Sequence, residues 1–549
     1  MEFRRLIIFI AISFATLFLW QQWQVSRHPE LLTEKTASAA SATVADKAAA
    51  PATTASASVN EAAALESGNR IKVKTDLFAA EIDTVGGDIR HLELFKHLAD
   101  DGSKRPFVLL QSDKDHTYVA QTGFTNPGLP THKTRFNAPA ADLKLADGQE
   151  QLVVKLDAPA VDGVEISKLL TFHRNSYVVD VTYQIKNGSG KVFTPNAYYR
   201  ILRDGSDPAS QTKFSSTFHG AAVYTEQKKY QKVTFADIEK NKDNYVTRCS
   251  NGWVGMVQHY FISVWLPPAA NGANPEDCDK NANRTFELKK QSNGLFSMGT
   301  LVTLPAVAPG ASLSYTVPLY SGPEDTSAME KVAPSLSLTK DYGIFTIVAA
   351  PLFWLLVKLH ALVGNWGWAI ILLTVLIKSV FYYPSAASYR SMAKMREIAP
   401  RLQSIKEKFG DDRQKQHQAM MELYKTEKIN PLGGCLPMLI QIPVFMGLYW
   451  CLLGAVELRQ APWMFWIHDL SHPDPFYILP LIMAVSMWYQ TTLNPAPADP
   501  MQAKMMKIMP LMFSVFFFFS PSGLVVYWLV NNILSIIQQK VIYKTIGKK

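Results

Sequence analysis

Lys378 lies in the apolar run AIILLTVLIKSVFYYP (residues 369–384), and no acidic residue of that run can pair with it. A cation in such a place does one of two things. Its stem snorkels the ammonium to the membrane surface, or its charge lines a wet cavity and attracts an anionic group. On a helix, Thr374, Lys378, Tyr382 and Ser385 are spaced four, four and three residues apart and share one face. The run GLVVYWLVNNILSIIQQKVIY (523–543) places Tyr527, Asn531, Ser535 and Gln538 on one face in the same way, and Gln441 interrupts the apolar LIQIPVF. Taken singly, Gln441, Asn531 and Asn532 are as well explained by hydrogen bonds between helices. Three apolar segments that each carry a polar face predict a shared hydrophilic cavity.

Motifs for other chemistry are missing. NGSGKV (187–192) resembles part of a phosphate loop, but position 185 is Ile and no Ser or Thr follows Lys191, so it reads as a hairpin turn. There is no H-E-x-x-H, no G-x-S-x-G and no paired C-x-x-C, and the apolar spans hold no chain of Asp or Glu for ion coupling. An ATP-driven pump, a membrane protease and an ion-coupled carrier are disfavoured. No enzyme activity, cofactor or metal is expected, and His173, His219 and His259 read as structural.

The elements that must position the polar faces follow from the distribution of apolar residues. The chain has 549 residues, 48% of them hydrophobic, and a mean hydropathy of +0.00 that averages two apolar ends with a polar middle. The net charge of +9 is spread without a long basic block, so no nucleic-acid partner is expected. Arg4 and Arg5 precede an apolar stretch, and bulky Phe18, Leu19, Trp20 and Trp23 stand where a cleavage site needs small residues. Residues 1–24 therefore read as an uncleaved signal anchor. Residues 25–68, rich in Ala, Ser and Thr, read as a disordered tether. From 69 to 325 short β-like runs alternate with turns. In YVVDVTYQIKN, Val179, Val181, Tyr183 and Ile185 alternate with Asp180, Thr182, Gln184 and Lys186. This pattern predicts a large all-β sandwich. Cys249 and Cys278 fall within it, and the sequence leaves open whether they pair.

After Lys340 the chain is predominantly apolar, with spans expected at 365–383, 432–454, 476–492, 508–520 and 524–543. The segment 384–431 carries ten Lys and Arg from Arg390 to Lys428 and reads as a cytoplasmic helical hairpin broken at FGDD, with Asp411 or Asp412 as N-cap. The positive-inside rule then puts the β domain outside and both termini inside. Counting 340–363 as a span would reverse that orientation, so it reads as an amphipathic helix on the outer interface. The expected architecture is an α-helical membrane bundle of six transmembrane helices, five of them a core at 364–545, plus the all-β sandwich.

VGNWGWAIILLTVLIK, SMAKMR, EKINPLGGCLPMLIQIPVF, VELRQAPW, WIHDLS, DPMQ and PSGLVVYW together resemble the YidC/Oxa family of membrane protein insertases, in its long Gram-negative form. The resemblance is dense over residues 340–545 and looser before them. It implies a periplasmic sandwich similar to sugar mutarotases, and a helical core whose hydrophilic groove opens to the cytoplasm and the lipid of the inner membrane. It also implies insertion and folding of nascent membrane proteins, alone or with the Sec translocon, with ribosome and targeting factors as further partners through the hairpin and the phospholipid bilayer as the medium. By position it makes Lys378 the groove cation and Thr374, Tyr382, Gln441, Tyr527 and Trp528 lining or client-contact residues, with Asn531 on the same face as Tyr527. The sequence departs from the family in one respect, since the groove cation is commonly arginine there.

Overall fold

The computed structural model describes residues 65–138, 142–208, 217–242, 244–269, 278, 282–410, 412–427, 436–494 and 500–546. The expected anchor at 1–24 and nearly all of the tether lie outside them.

Two sheets form the N-terminal domain. The nine-stranded sheet runs, edge to edge, Arg284–Lys290, Phe296–Thr303, Asn196–Arg203, Thr117–Phe124, Pro106–Ser112, Ile89–Leu98, Phe78–Asp83, Arg70–Lys74 and Asp142–Lys144. The eight-stranded sheet runs Lys229–Val233, Gly220–Thr225, Trp253–Gln258, Phe261–Trp265, Ser312–Pro323, Val178–Asn187, Val164–His173 and Gln151–Asp157. Pairing is antiparallel except between Arg70–Lys74 and Asp142–Lys144. The period-2 pattern decides which residues enter the core. Val179, Val181, Tyr183 and Ile185 are buried, while Gln184 and Lys186 face solvent. Cys249 and Cys278 form a disulfide.

One expected turn has a different course. Residues 188–195 do not close a hairpin, because Val178–Asn187 lies in one sheet and the next strand, Asn196–Arg203, in the other. The buried Asn187 side chain holds this crossover: its Oδ1 accepts from Ser189 N at 3.0 Å, and its Nδ2 donates to Lys191 O and Val307 O, both at 2.9 Å. An Asx-type turn is thus used to leave a sheet.

The helices are α1 Phe235–Glu239 and α2 Thr326–Val332 at the sandwich, then α3 Thr346–Val363, α4 Trp366–Val380, α5 Tyr382–Glu397, α6 Ala399–Phe409, α7 Arg413–Thr426, α8 Leu436–Leu453, α9 Ile478–Leu493, α10 Pro500–Phe517 and α11 Ser522–Ile546. α3 ends at Gly364, whose φ of 68° and N–H to His360 O make a left-handed C-cap. Asn365 then caps α4, its Oδ1 accepting from Trp368 N at 3.2 Å. Asp412 caps α7 through Lys415 N, at the break expected for FGDD. α10 begins at Pro500, eight residues before the expected span, because its first turns carry Lys504 and Lys507 and lack an apolar signature.

Helix α4 packs on α3 and α11, α3 on α8, and α9 on α10 and α11. Ala349, Phe353, Leu356, Leu373, Leu448 and Val525 belong to their common core, separate from that of the sandwich. By itself only Gly343–Val363, among the described helices, is long and apolar enough to cross a membrane; α4 joined to α5 also meets that test, with a 67° bend between them.

Candidate functional site

The polar faces meet where α4 lies against α11. Lys378, in the last turn of α4, donates from Nζ to Ser535 Oγ at 2.7 Å, and Ser535 Oγ in turn donates to Asn531 O at 2.7 Å. The end of a helix suits a cation, since its terminal carbonyls carry partial negative charge. No carboxylate of the described residues lies within ion-pair distance of Lys378. One hydroxyl therefore receives a half-buried ammonium. Two of its three donor positions are left for water or another anionic or polar group.

One turn earlier, Thr374 is fully buried and its hydroxyl donates back to Ile370 O at 2.7 Å. Its hydroxyl is thus satisfied within its own helix. On α11, Tyr527 is 1% exposed and its hydroxyl accepts from Gln441 Nε2 of α8. Trp528, half-buried, meets Phe445 edge-on, with ring centroids 4.5 Å apart. Asn531 is buried and its Oδ1 has no hydrogen-bond partner among the described residues. An unmatched acceptor in an apolar surround costs roughly 1–3 kcal/mol unless water or a ligand satisfies it. Asn532 points elsewhere and donates to Ser486 Oγ of α9 at 2.8 Å.

Tyr382 and Ser385 do not continue the Thr374–Lys378 stripe. The chain bends by 67° at Phe381, so both lie on α5. Pro384 explains the break, because its ring has no N–H for the carbonyl of Val380 and would collide with it. Tyr382 is 45% exposed, and its carbonyl accepts from Gln538 Nε2 at 3.1 Å. The stripe on α11 is unbroken. Four helices thus supply polar groups: Thr374 and Lys378 from α4, Tyr382 from α5, Gln441 from α8, and Tyr527, Asn531 and Ser535 from α11. Trp528 belongs instead to the apolar packing of α8.

Sequence reasoning did not give Ser486 a role, although an isolated serine in the apolar LIMAVSMW was a signal. It also left VELRQAPW as a motif without work to do. No group of three or more His, Cys, Asp or Glu among the described residues is placed to hold a metal.

Two family descriptions match the chain in succession: "YidC periplasmic domain" over residues 70–355 and "60Kd inner membrane protein" over residues 358–549. A protein of Laribacter hongkongensis, "Membrane protein insertase YidC", is 55% identical over 551 residues, which is 100% of this chain and 98% of the relative. A protein of the same description from Methylobacillus flagellatus is 50% identical, covering 98% of this chain and 96% of its own. Among solved structures, "Active YidC insertase crystal structure with the first transmembrane domain resolved" aligns with 19% identity and a TM-score of 0.39, over 87% of this chain and 93% of that one.

Proposed function

The chain belongs to the YidC family of membrane protein insertases, and from that premise we propose that the polar faces of α4 and α11, with Lys378 as their cation, are where it receives the polar flank of a client. The observation that carries this reading is that, among the described residues, Lys378 pairs with Ser535 alone, one turn of α11 from Asn531, whose Oδ1 has no partner there. An ammonium with spare donors and a spare acceptor on the facing helix suit a passing polar chain better than a permanent structural ion pair.

The mechanism needs no nucleotide. A client's apolar segment leaves water for lipid, which supplies roughly 25 cal/mol per Å² of apolar surface. The difficulty lies in its polar, often acidic, flank, which must enter a low-dielectric region. Attraction to Lys378 lowers that cost, and Tyr382 and Gln441 offer hydrogen bonds along the way. A lysine meets its partner as a point charge, whereas arginine would hold it by a fixed fork. The lysine here therefore favours a loose, movable contact.

In this reading the protein has six spans with both ends in the cytoplasm of a bacterial inner membrane, and the sandwich lies in the periplasm. α3 lies on the outer interface: Ala349, Phe353 and Leu356 bury one face of it, and Trp354 and Leu362 stand exposed on others. The basic α5–α7 segment receives emerging chains, and Met392, Met395 and Met420 give it adaptable apolar contacts. The Sec translocon, ribosomes and targeting factors are partners of the same reading.

Reconstitution of the purified protein into liposomes tests it, with a small single-span client scored by protease protection. Insertion well above that of empty liposomes supports the reading. Insertion at the empty-liposome level sinks it, and uptake of small solutes would point to a carrier.

A further inference from the structure

The loop after α8 enters both halves of the molecule. Ala455, Leu458 and Ala461 are buried in the helical core, whereas Val456, between them, is buried in the sandwich core. Two buried ion pairs follow Val456. Glu457 meets Lys340 at 2.6 Å, with 10% and 6% of their side chains exposed. Arg459 meets Asp100 at 2.6 Å with none of its own side chain exposed. The Arg459 guanidinium also donates to Leu98 O and lies 5.4 Å and 5.5 Å from the ring centroids of Phe107 and Phe261, which stack on each other.

Gln460 completes the joint. Its Oε1 accepts from Leu98 N at 3.0 Å and its Nε2 donates to Leu98 O at 2.9 Å, so one side chain satisfies both backbone groups at the end of the strand Ile89–Leu98. Its φ is 58°, a left-handed conformation that costs a non-glycine residue roughly 1–3 kcal/mol. Such a backbone persists where its surroundings enforce it. Burial, followed by the charge of Arg459, pushes His97 down to about 4, so its imidazole is neutral beside Arg459 near neutral pH.

The next residues reach the helix that carries Lys378. Pro462 O accepts from Asn365 Nδ2, the N-cap side chain of α4, at 2.9 Å, and Trp463 packs against Gly367 so closely that a Cβ there would collide with it. We propose that residues 453–461 are a rigid strut that seats the sandwich on the helical region, and that Arg459 is a positioning residue whose contacts set the pose of α4 and hence of Lys378. The sandwich then takes part in insertion by fixing the helix that bears the cation. Nη2 of Arg459 serves Asp100 and Leu98 O together, and lysine cannot replace it fully, because an ammonium lacks the flat guanidinium that lies against the Phe107 and Phe261 rings.

The inference rests on the insertase reading in one of its two readouts, and the other is independent of it. Arg459→Ala, Arg459→Lys and Gln460→Ala are made in the full chain in proteoliposomes and followed by amide hydrogen exchange and by the insertion rate of a single-span client. Arg459→Ala is expected to speed exchange at Leu98 by at least about tenfold, in line with truncating a buried, hydrogen-bonded charge. It is expected to leave the strand Val178–Asn187 unchanged and to slow insertion by at least about threefold, a small part of the roughly hundredfold that a 1 Å misplacement of a site group can cost. Arg459→Lys is expected to recover part of both. Wild-type insertion despite faster Leu98 exchange overturns the positioning role, and unaltered Leu98 exchange overturns the strut. If Arg459→Ala raises exchange throughout the sandwich, Gln460→Ala, which removes only the two bonds to Leu98, is judged by the same criteria. Failure of the wild type to insert would count against the insertase reading, and the exchange results would still decide whether the strut exists.

Discussion

Reversing the charge at Lys378 gives a discrimination whose size can be worked out. Lys378 Nζ stands 2.7 Å from Ser535 Oγ, with no carboxylate of the described residues nearby, so a client carboxylate can come close to it. At about 4 Å and an effective dielectric of about 20, an ammonium and a carboxylate attract by roughly 4 kcal/mol. Lys378→Glu turns that attraction into a repulsion of similar size, a swing of about 8 kcal/mol. If only a third of the swing is felt in the rate-limiting step, insertion slows by roughly a hundredfold. The same client with Asn and Gln in its flank feels no such term. The assay is the initial rate of appearance of a protease-protected fragment in proteoliposomes, for the acidic client and its neutral twin. A ratio of effects above about tenfold is expected, equivalent to about 1.4 kcal/mol, and Lys378→Arg should retain discrimination. Equal slowing of the two clients would refute the electrostatic role.

Two further outcomes follow from packing and burial. Gly367→Ala places a Cβ within the Trp463 side chain and is expected to cost at least about 1–3 kcal/mol through overpacking; a thermal midpoint and insertion rate equal to wild type would show that α4 does not rest on Trp463. Glu324, buried at the end of the last sandwich strand, has its carboxyl pushed up from 4.5 to about 7 by burial, against the opposing pull of Lys340. The folded state thus binds this proton more tightly than the unfolded chain does, so stability falls as pH rises from about 4.5 to about 7 and the loss is complete above that. Glu324→Gln should raise the thermal midpoint at pH 8 while changing it little at pH 5, on a scale of about 3 kcal/mol; a gain confined to pH 5 would contradict the assigned sign.

What the sequence disclosed was mainly what depends on near neighbours. Val179, Val181, Tyr183 and Ile185 sort themselves by period two, because each strand residue chooses a face independently of where the strand pairs. For the same reason Tyr527, Asn531 and Ser535 could be placed on one face of an unbroken α11. The stripe on α4 was overextended, since the four-residue spacing of Tyr382 was followed across a bend that Pro384 enforces. Residues 188–195 were read as a hairpin because turn chemistry is local, whereas the choice to cross between sheets is made by partners such as Val307. Pairings at long range were not legible. Gln441 and Tyr527 are 86 positions apart, and Arg459 and Leu98 are 361 apart, and nothing in either residue's neighbourhood announces the other. The VELRQAPW motif could be quoted but not interpreted until the sandwich edge stood beside it.

The central claim is that clients pass the polar face shared by α4, α5, α8 and α11. Site-specific photocrosslinking during insertion tests it most directly, with a photoreactive side chain placed in turn at Tyr382, Gln441, Val485 and Trp488. The last two are exposed apolar residues of α9, at 64% and 61%. Adducts with a client's polar flank at Tyr382 and Gln441, and little or none at Val485 and Trp488, are the expected result. Adducts from the flank concentrated at Val485 and Trp488, with none at Tyr382 or Gln441, would contradict the account.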